Sequence, residues 1–139
     1  MILKISKRIV LASVAKFFDP LGWLAPVIIT AKIFMQRLWL AKLSWDDSVP
    51  NELKNEFLTW YDGTLILKNI KISRWLQYVP GAKYELYGFA DASKLAYTAC
   101  TYLHKGISTV HLVHIKSKVV LIKPLQTIPS LELSADFLN

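Results

Sequence analysis

Apolar positions in the first part of the chain recur with a helical period. Ile5, Ile9, Val10, Val14 and Phe17 lie three to four residues apart, the spacing that lines one face of a helix. Ser6 stands where an N-cap belongs. Asp19-Pro20-Leu21-Gly22 is a turn signal, so this helix is expected to stop at Phe18. Pro26 suits the first turn of a second helix, whose apolar face is Ala31, Phe34, Met35, Leu38 and Trp39. Residues 44–50, SWDDSVP, read as a loop, and Pro50 opens a third helix with the face Leu53, Phe57, Trp60 and Tyr61. Asp46 and Asp47 precede that helix and are expected to serve its positive end. These stripes read as packing faces.

Beyond the third helix the pattern loosens. Residues 62–83 alternate only in part and read as a connector, with a break at Pro80-Gly81. From Tyr84 the period becomes two, the signature of strands. Three are expected, over 84–91, 95–103 and 108–115, the last extending as far as Leu121. Lys105-Gly106 is the hairpin turn between the second and third. Pro129 then opens SLELSADFLN, the first turns of a helix. The class is therefore α+β: three helices, a connector, a three-strand meander and a short helix. No internal repeat or low-complexity tract interrupts this order.

Composition sharpens the picture. Of 139 residues, 53% are hydrophobic, which excludes a disordered chain and demands burial in a core or against a partner. Cys100 is the single cysteine, so no intrachain disulfide forms and a reducing, intracellular setting, cytoplasm or nucleus, is expected. Cys100 lies in an apolar run and is expected in the core. The formal charge is +7, and residues 1–45 carry seven basic side chains against the single acid Asp19, a net of +6. Such a basic, aromatic-bearing segment is either a solvated cationic face or a surface for a polyanion such as nucleic acid. The cluster Lys4, Lys7, Arg8 before a short apolar run imitates a secretory signal, but the helical pattern runs past it. The uncharged run 20–31 is about half of the ~20 residues that a membrane span needs, so no membrane association is expected.

Candidate chemistry is sparse. The five glycines are scattered and make no phosphate loop. His111 and His114 stand three apart on an expected strand, which places them on opposite faces and argues against a shared zinc. Two carboxylates remain. Asp91 ends the first strand in YGFADAS, where small residues leave it unshielded. Glu132 lies in the first turn of the last helix. In a βββα unit that helix packs across the sheet and brings the two acids toward each other. Converging carboxylates repel unless a cation lies between them, and two-metal phosphoryl hydrolysis uses such clusters. The same residues also read as a turn aspartate and a helix-start glutamate.

Several blocks resemble a known family. Phe18-Asp19-Pro20-Leu21-Gly22, Ala25-Pro26, Ala31-Lys32, Leu38-Trp39 and Trp45-Asp46, then RWL, YGFADAS and IPSLEL, are similar, in this order, to the Pol polyprotein of BEL/Pao-type LTR retrotransposons. The resemblance covers nearly the whole chain. It implies that residues 1–61 are a helical thumb or connection segment of a reverse transcriptase, 62–83 a connector, and 84–139 the first half of an RNase H-like domain. The parent activity it implies is hydrolysis of the RNA strand in an RNA–DNA hybrid. Asp91 and Glu132 would be the first two catalytic carboxylates and Mg²⁺ ligands. Lys7, Arg8, Lys16, Lys32 and Arg37 would face the nucleic acid, and the rest of the polyprotein would be the other partner.

The resemblance has departures. Ser130 stands where the family usually has a basic residue, and Asp136 interrupts the usual apolar, Ala-rich helix. Two more acidic ligands and further strands would lie beyond Asn139, and the polymerase palm before Met1. Two carboxylates alone hold Mg²⁺ weakly, so the fragment is expected to be inactive by itself. Two alternatives stay open: a nucleic-acid-binding relic or host co-opted module, and an aspartic peptidase of the Pao retrotransposon type. The latter needs an Asp-Thr/Ser-Gly turn, and Asp91-Ala92-Ser93 lacks its glycine.

Overall fold

The computed structural model describes residues 4–106, 109–122 and 126–138. The elements are α1 (Lys7–Val14), α2 (Ala25–Leu40), α3 (Asn51–Gly63), a 3₁₀ turn (Thr64–Asn69), β1 (Tyr84–Ala92), β2 (Ala96–Lys105), β3 (Thr109–Val119) and α4 (Ile128–Asp136). They fall into two compact units. One holds the chain up to Phe18 together with Pro26–Ile70; the other joins Asp19–Ala25 to Lys71–Asn139.

The first unit is helical. Its core is Ile5, Val10, Phe34, Met35, Leu38, Val49 and Phe57, with Leu53 and Trp60 packed against it. The buried α2 positions Ala31, Phe34, Met35 and Leu38 follow the helical stripe read from the sequence. Trp39 departs from it: it is exposed, and its ring meets Trp45 edge-on at 5.6 Å. Phe57 stacks on Phe34 at 6.1 Å and on Trp60 at 6.0 Å. Trp60 Nε1 donates to Val27 O at 3.1 Å, which satisfies the indole inside an apolar surround.

Helix limits shift slightly from expectation. Ser6 occupies the N-cap with extended backbone, but its hydroxyl makes no cap bond. α1 stops at Val14 rather than Phe18. Phe17 N–H donates to Val14 O at 3.2 Å in a tight turn, and its ring meets Trp60 edge-on at 5.9 Å. That tertiary contact draws Phe17 off the helical path. Pro50 caps α3 from outside instead of opening it. The connector contains the 3₁₀ turn, then runs without helix or strand through residues 70–79.

The second unit is an antiparallel meander in the order β1-β2-β3. Ser93 organises the β1–β2 turn: its Oγ accepts from the N–H groups of Leu95 and Ala96, both at 3.2 Å. Gly106 takes φ +58° at the other turn, as the Lys105-Gly106 signal requires. Ser108, the expected start of the third strand, lies outside the described residues. α4 packs on β1 and β2. Its buried residues Leu131 and Ala135 are one helical turn apart, and Ala99 of β2, paired with Ala90, is buried beneath it. Small side chains at both strand positions let the helix approach closely.

The opposite face of the sheet is open. Tyr87, Phe89 and Val110 are exposed there, and Phe89 meets Tyr102 edge-on at 5.9 Å. Cys100 pairs with Phe89 and so lies on this face, half-buried rather than in the core.

Asp19–Ala25 belongs with the sheet. Asp19 holds the turn internally, its Oδ2 accepting the Leu24 N–H at 2.8 Å. Leu21 O accepts the Ile115 N–H at 2.8 Å. Gly22 adopts φ +75°, and a Cβ on it would stand 1.7 Å from Ile115 O. Only glycine meets both demands.

Candidate functional site

Asp91 is the penultimate residue of β1 and pairs with Thr98. Small neighbours leave it exposed, as the sequence suggested. Strand alternation sends its side chain to the face of Phe89 and Tyr87, whereas α4 covers the face of Ala90 and Ala99. Glu132 follows the buried Leu131 in α4 and is itself exposed. The two carboxylates are hard oxygen donors of the kind that suit Mg²⁺, but the register sends Asp91 to the open face of the sheet while Glu132 rides on the helix that covers the other face, so the expected convergence of the two acids is not met. Among the described residues no three His, Cys, Asp or Glu side chains gather as a metal site. The donor chemistry fits Mg²⁺, but neither the ligand number nor the placement of the two acids on opposite faces does, and no reaction step follows from this pair alone.

The basic candidates of the helical unit differ sharply from one another. Lys7 is only 7% exposed. Its ammonium donates to Leu43 O and lies 5.3 Å from the centre of the Trp39 ring, so its charge is balanced by a carbonyl and a π face. Arg8 makes a two-pronged contact to Asp46, Nε to Oδ1 at 2.8 Å and Nη2 to Oδ2 at 3.0 Å. The hydrogen bond from Arg8 holds the Asp46 carboxyl below its usual range. Arg37 pairs with Glu56. Lys16 and Lys32 are exposed.

Two sequence expectations change. Asp46 and Asp47 do not serve the start of α3. Asp46 is taken by Arg8, and Asp47 Oδ2 accepts the Ser44 N–H at 2.8 Å, closing its own loop. The carboxylates satisfy nearer donors first. The two histidines are not on opposite faces either. His111 pairs with Leu103 and His114 with Thr101, two β2 residues of one face. The β2–β3 register slips between Thr101 and Tyr102, leaving Val113 as an extra residue. This bulge adds one residue to the count and returns both imidazoles to the same side. Nothing in the residue types around Val113 marks it in advance.

A further pair escaped the sequence reading. Tyr87 Oη donates to Glu85 Oε2 at 2.8 Å, and that bond to a carboxylate raises the phenol above its usual pKa. Glu85 also meets Lys83 at 3.6 Å. The i, i+2 spacing on one strand face is the signal that would have found it. No described helix is long and apolar enough to cross a membrane.

Comparison with known proteins adds one match. The family model for the Pao retrotransposon-like RNaseH-like domain matches residues 6–138. No curated protein and no solved structure matches the chain.

Proposed function

The chain belongs to the Pao retrotransposon-like RNaseH-like domain family, and on that premise we propose that it is the part of a retrotransposon Pol polyprotein that joins a reverse transcriptase to its RNase H-like nuclease. The parent reaction in this reading is hydrolysis of the RNA strand of an RNA–DNA hybrid. One observation carries it: the family match over residues 6–138, which spans an antiparallel meander with an exposed carboxylate, Asp91, near the end of its first strand and a second, Glu132, on the helix that covers the other face. In this reading Asp91 and Glu132 would be two of the ligands of a Mg²⁺ ion, which would supply activation of water and stabilisation of the leaving oxygen. Further oxygen ligands must come from outside these residues, so the 139-residue chain is expected to be inactive on its own. The helical unit, with Lys16 and Lys32 exposed, contributes sequence-indifferent contacts to the nucleic-acid backbone.

Mn²⁺ titration followed by paramagnetic broadening of amide signals tests the metal assignment without requiring turnover. Broadening centred on Asp91 and Glu132, lost in Asp91→Asn, supports it. Uniform broadening, or broadening centred on other carboxylates, refutes it. A parallel assay on an RNA–DNA hybrid is expected to show no cleavage by the chain. Cleavage abolished by Asp91→Asn would refute the inactivity and keep the nuclease reading.

A further inference from the structure

The helices of the helical unit do not close completely on one another. Between them lies a cavity of about 410 Å³, walled by Val10 and Val14 of α1, Phe34 of α2, and Phe57 and Trp60 of α3. The aromatic wall is fixed. Phe57 stacks on both Phe34 and Trp60, and the Trp60 indole is tied to Val27 O, so these rings cannot swing in and fill the space. Val10, Phe34 and Phe57 are buried and form the deep end, whereas Thr30, Glu56 and Thr59 are exposed and stand at the mouth. A cavity of this size between packed helices, apolar inside with a few polar groups converging at one end, has the form of a small-molecule site.

The polar groups select the ligand. The side-chain donors that line the cavity are spent on helix carbonyls: Thr30 Oγ1 donates to Val27 O at 2.7 Å, Thr59 Oγ1 to Asn55 O at 3.0 Å and Trp60 Nε1 to Val27 O at 3.1 Å. What they leave toward the cavity is lone pairs on two hydroxyl oxygens, joined by the Glu56 carboxylate. Among the described residues lining the cavity, Glu56 is the only charged one. Arg37 Nη1 donates to its Oε1 at 2.5 Å, and a carboxylate with about four acceptor positions can accept more than this one bond.

We propose that this cavity binds a small arylalkyl amine, an aromatic ring on a short chain ending in an ammonium group. The ring lies against the wall of Phe34, Phe57 and Trp60, and the ammonium donates to Glu56, Thr30 and Thr59 at the mouth. A cavity of about 150 Å³ holds benzene, so this one has room for ring and chain together. An anionic ligand is disfavoured, because a carboxylate or phosphate meets acceptors and a like charge there. The inference does not rest on the nucleic-acid reading and uses no residue of the sheet unit.

The test is a nuclear magnetic resonance titration of the full chain with 2-phenylethylamine, with 2-phenylethanol as its neutral counterpart and phenylacetate as an anionic one. Saturable shifts of the Trp60 indole N–H are expected, with nuclear Overhauser contacts from the ligand ring to Val10, Phe34 and Phe57. The amine should bind about threefold or more tighter than the alcohol, the range of a partly exposed ion pair, and phenylacetate should bind weakest. Glu56→Gln should remove the preference for the amine, and Arg37→Gln, which keeps the carboxylate, should retain it. Ala31→Leu, which adds volume inside the cavity, should abolish binding of amine and alcohol alike. The wild-type contacts decide the site without any variant: no saturable binding, or contacts to other residues such as Tyr87, Phe89 and Tyr102 of the sheet, overturns it. Equal affinity for the three ligands, or a preference that Glu56→Gln leaves intact, overturns the ligand class. Loss of the preference in Arg37→Gln also overturns it.

Discussion

Replacing Gly22 by alanine should damage the sheet unit more than the same change at Gly81. Both glycines have positive φ, +75° and +79°, so each substitution forces an L-residue into left-handed backbone at a cost of about 1–2 kcal/mol. The relief of unfolded-chain entropy is the same for both and cancels. They differ in surroundings. A Cβ on Gly81 meets nothing within 4 Å, whereas one on Gly22 would stand 1.7 Å from Ile115 O and 2.6 Å from Ile115 C. Those are backbone atoms of a paired strand and cannot rotate away. The turn must lift, and the 2.8 Å bond from Ile115 N–H to Leu21 O breaks, which adds about 0.5–1.5 kcal/mol. Gly22→Ala should therefore cost about 1.5–3.5 kcal/mol and Gly81→Ala about 1–2 kcal/mol. Urea unfolding measures the totals, and hydrogen exchange at the Ile115 amide locates the loss. Faster exchange at Ile115 is expected in Gly22→Ala alone. Equal losses in the two variants, or an Ile115 amide as protected as in wild type, would refute the seating of the Asp19–Gly22 turn on β3.

Three further outcomes follow from the same reasoning. Leu38 has no exposed surface, so Leu38→Ala should cost about 2–5 kcal/mol in thermal or urea unfolding of the helical unit; a loss below about 1 kcal/mol would mean the core is not packed as described. Because Arg8 holds the Asp46 carboxyl below its usual range, the contribution of the pair is present above the unfolded carboxylate pKa of about 4 and is lost as pH falls through the lower folded value. Asp46→Asn should thus be less stable than wild type at neutral pH and equal to it in strong acid, and a gap that persists in acid would show that another contact is responsible. Phe89 is 58% exposed on the open sheet face and its one ring contact is edge-on to Tyr102, so Phe89→Ser should lower stability by about 0.5–1.5 kcal/mol in urea unfolding; a loss of the size of a core truncation, about 3 kcal/mol or more, would show that this face is covered.

Periodicity alone determined the order of elements, because burial of one face repeats every three to four residues in a helix and every two in a strand. Hence α2 and its stripe, the three strands, the turn at Gly106 and the helix at Pro129 were legible. Asp91 near the end of β1 and Glu132 in α4 were legible for the same reason. Contacts between residues far apart in sequence were not. The sequence placed Asp19–Gly22 between two helices; only the structure shows that it joins the sheet, through an Ile115 amide more than ninety residues away. Lys7 and Arg8 read as two equivalent cations, yet one is buried under Leu43 and Trp39 and the other is held by Asp46. Which partner a charge finds depends on the path of the loop at residues 43–46, and composition carries no record of that path. The face of His111 was misread because one extra residue in a strand reverses every side chain beyond it, and the bulge is set by pairing with β2. Local chemistry thus decided what each segment becomes. Tertiary packing decided which side chains meet, since that depends on registers and crossings that no single stretch contains.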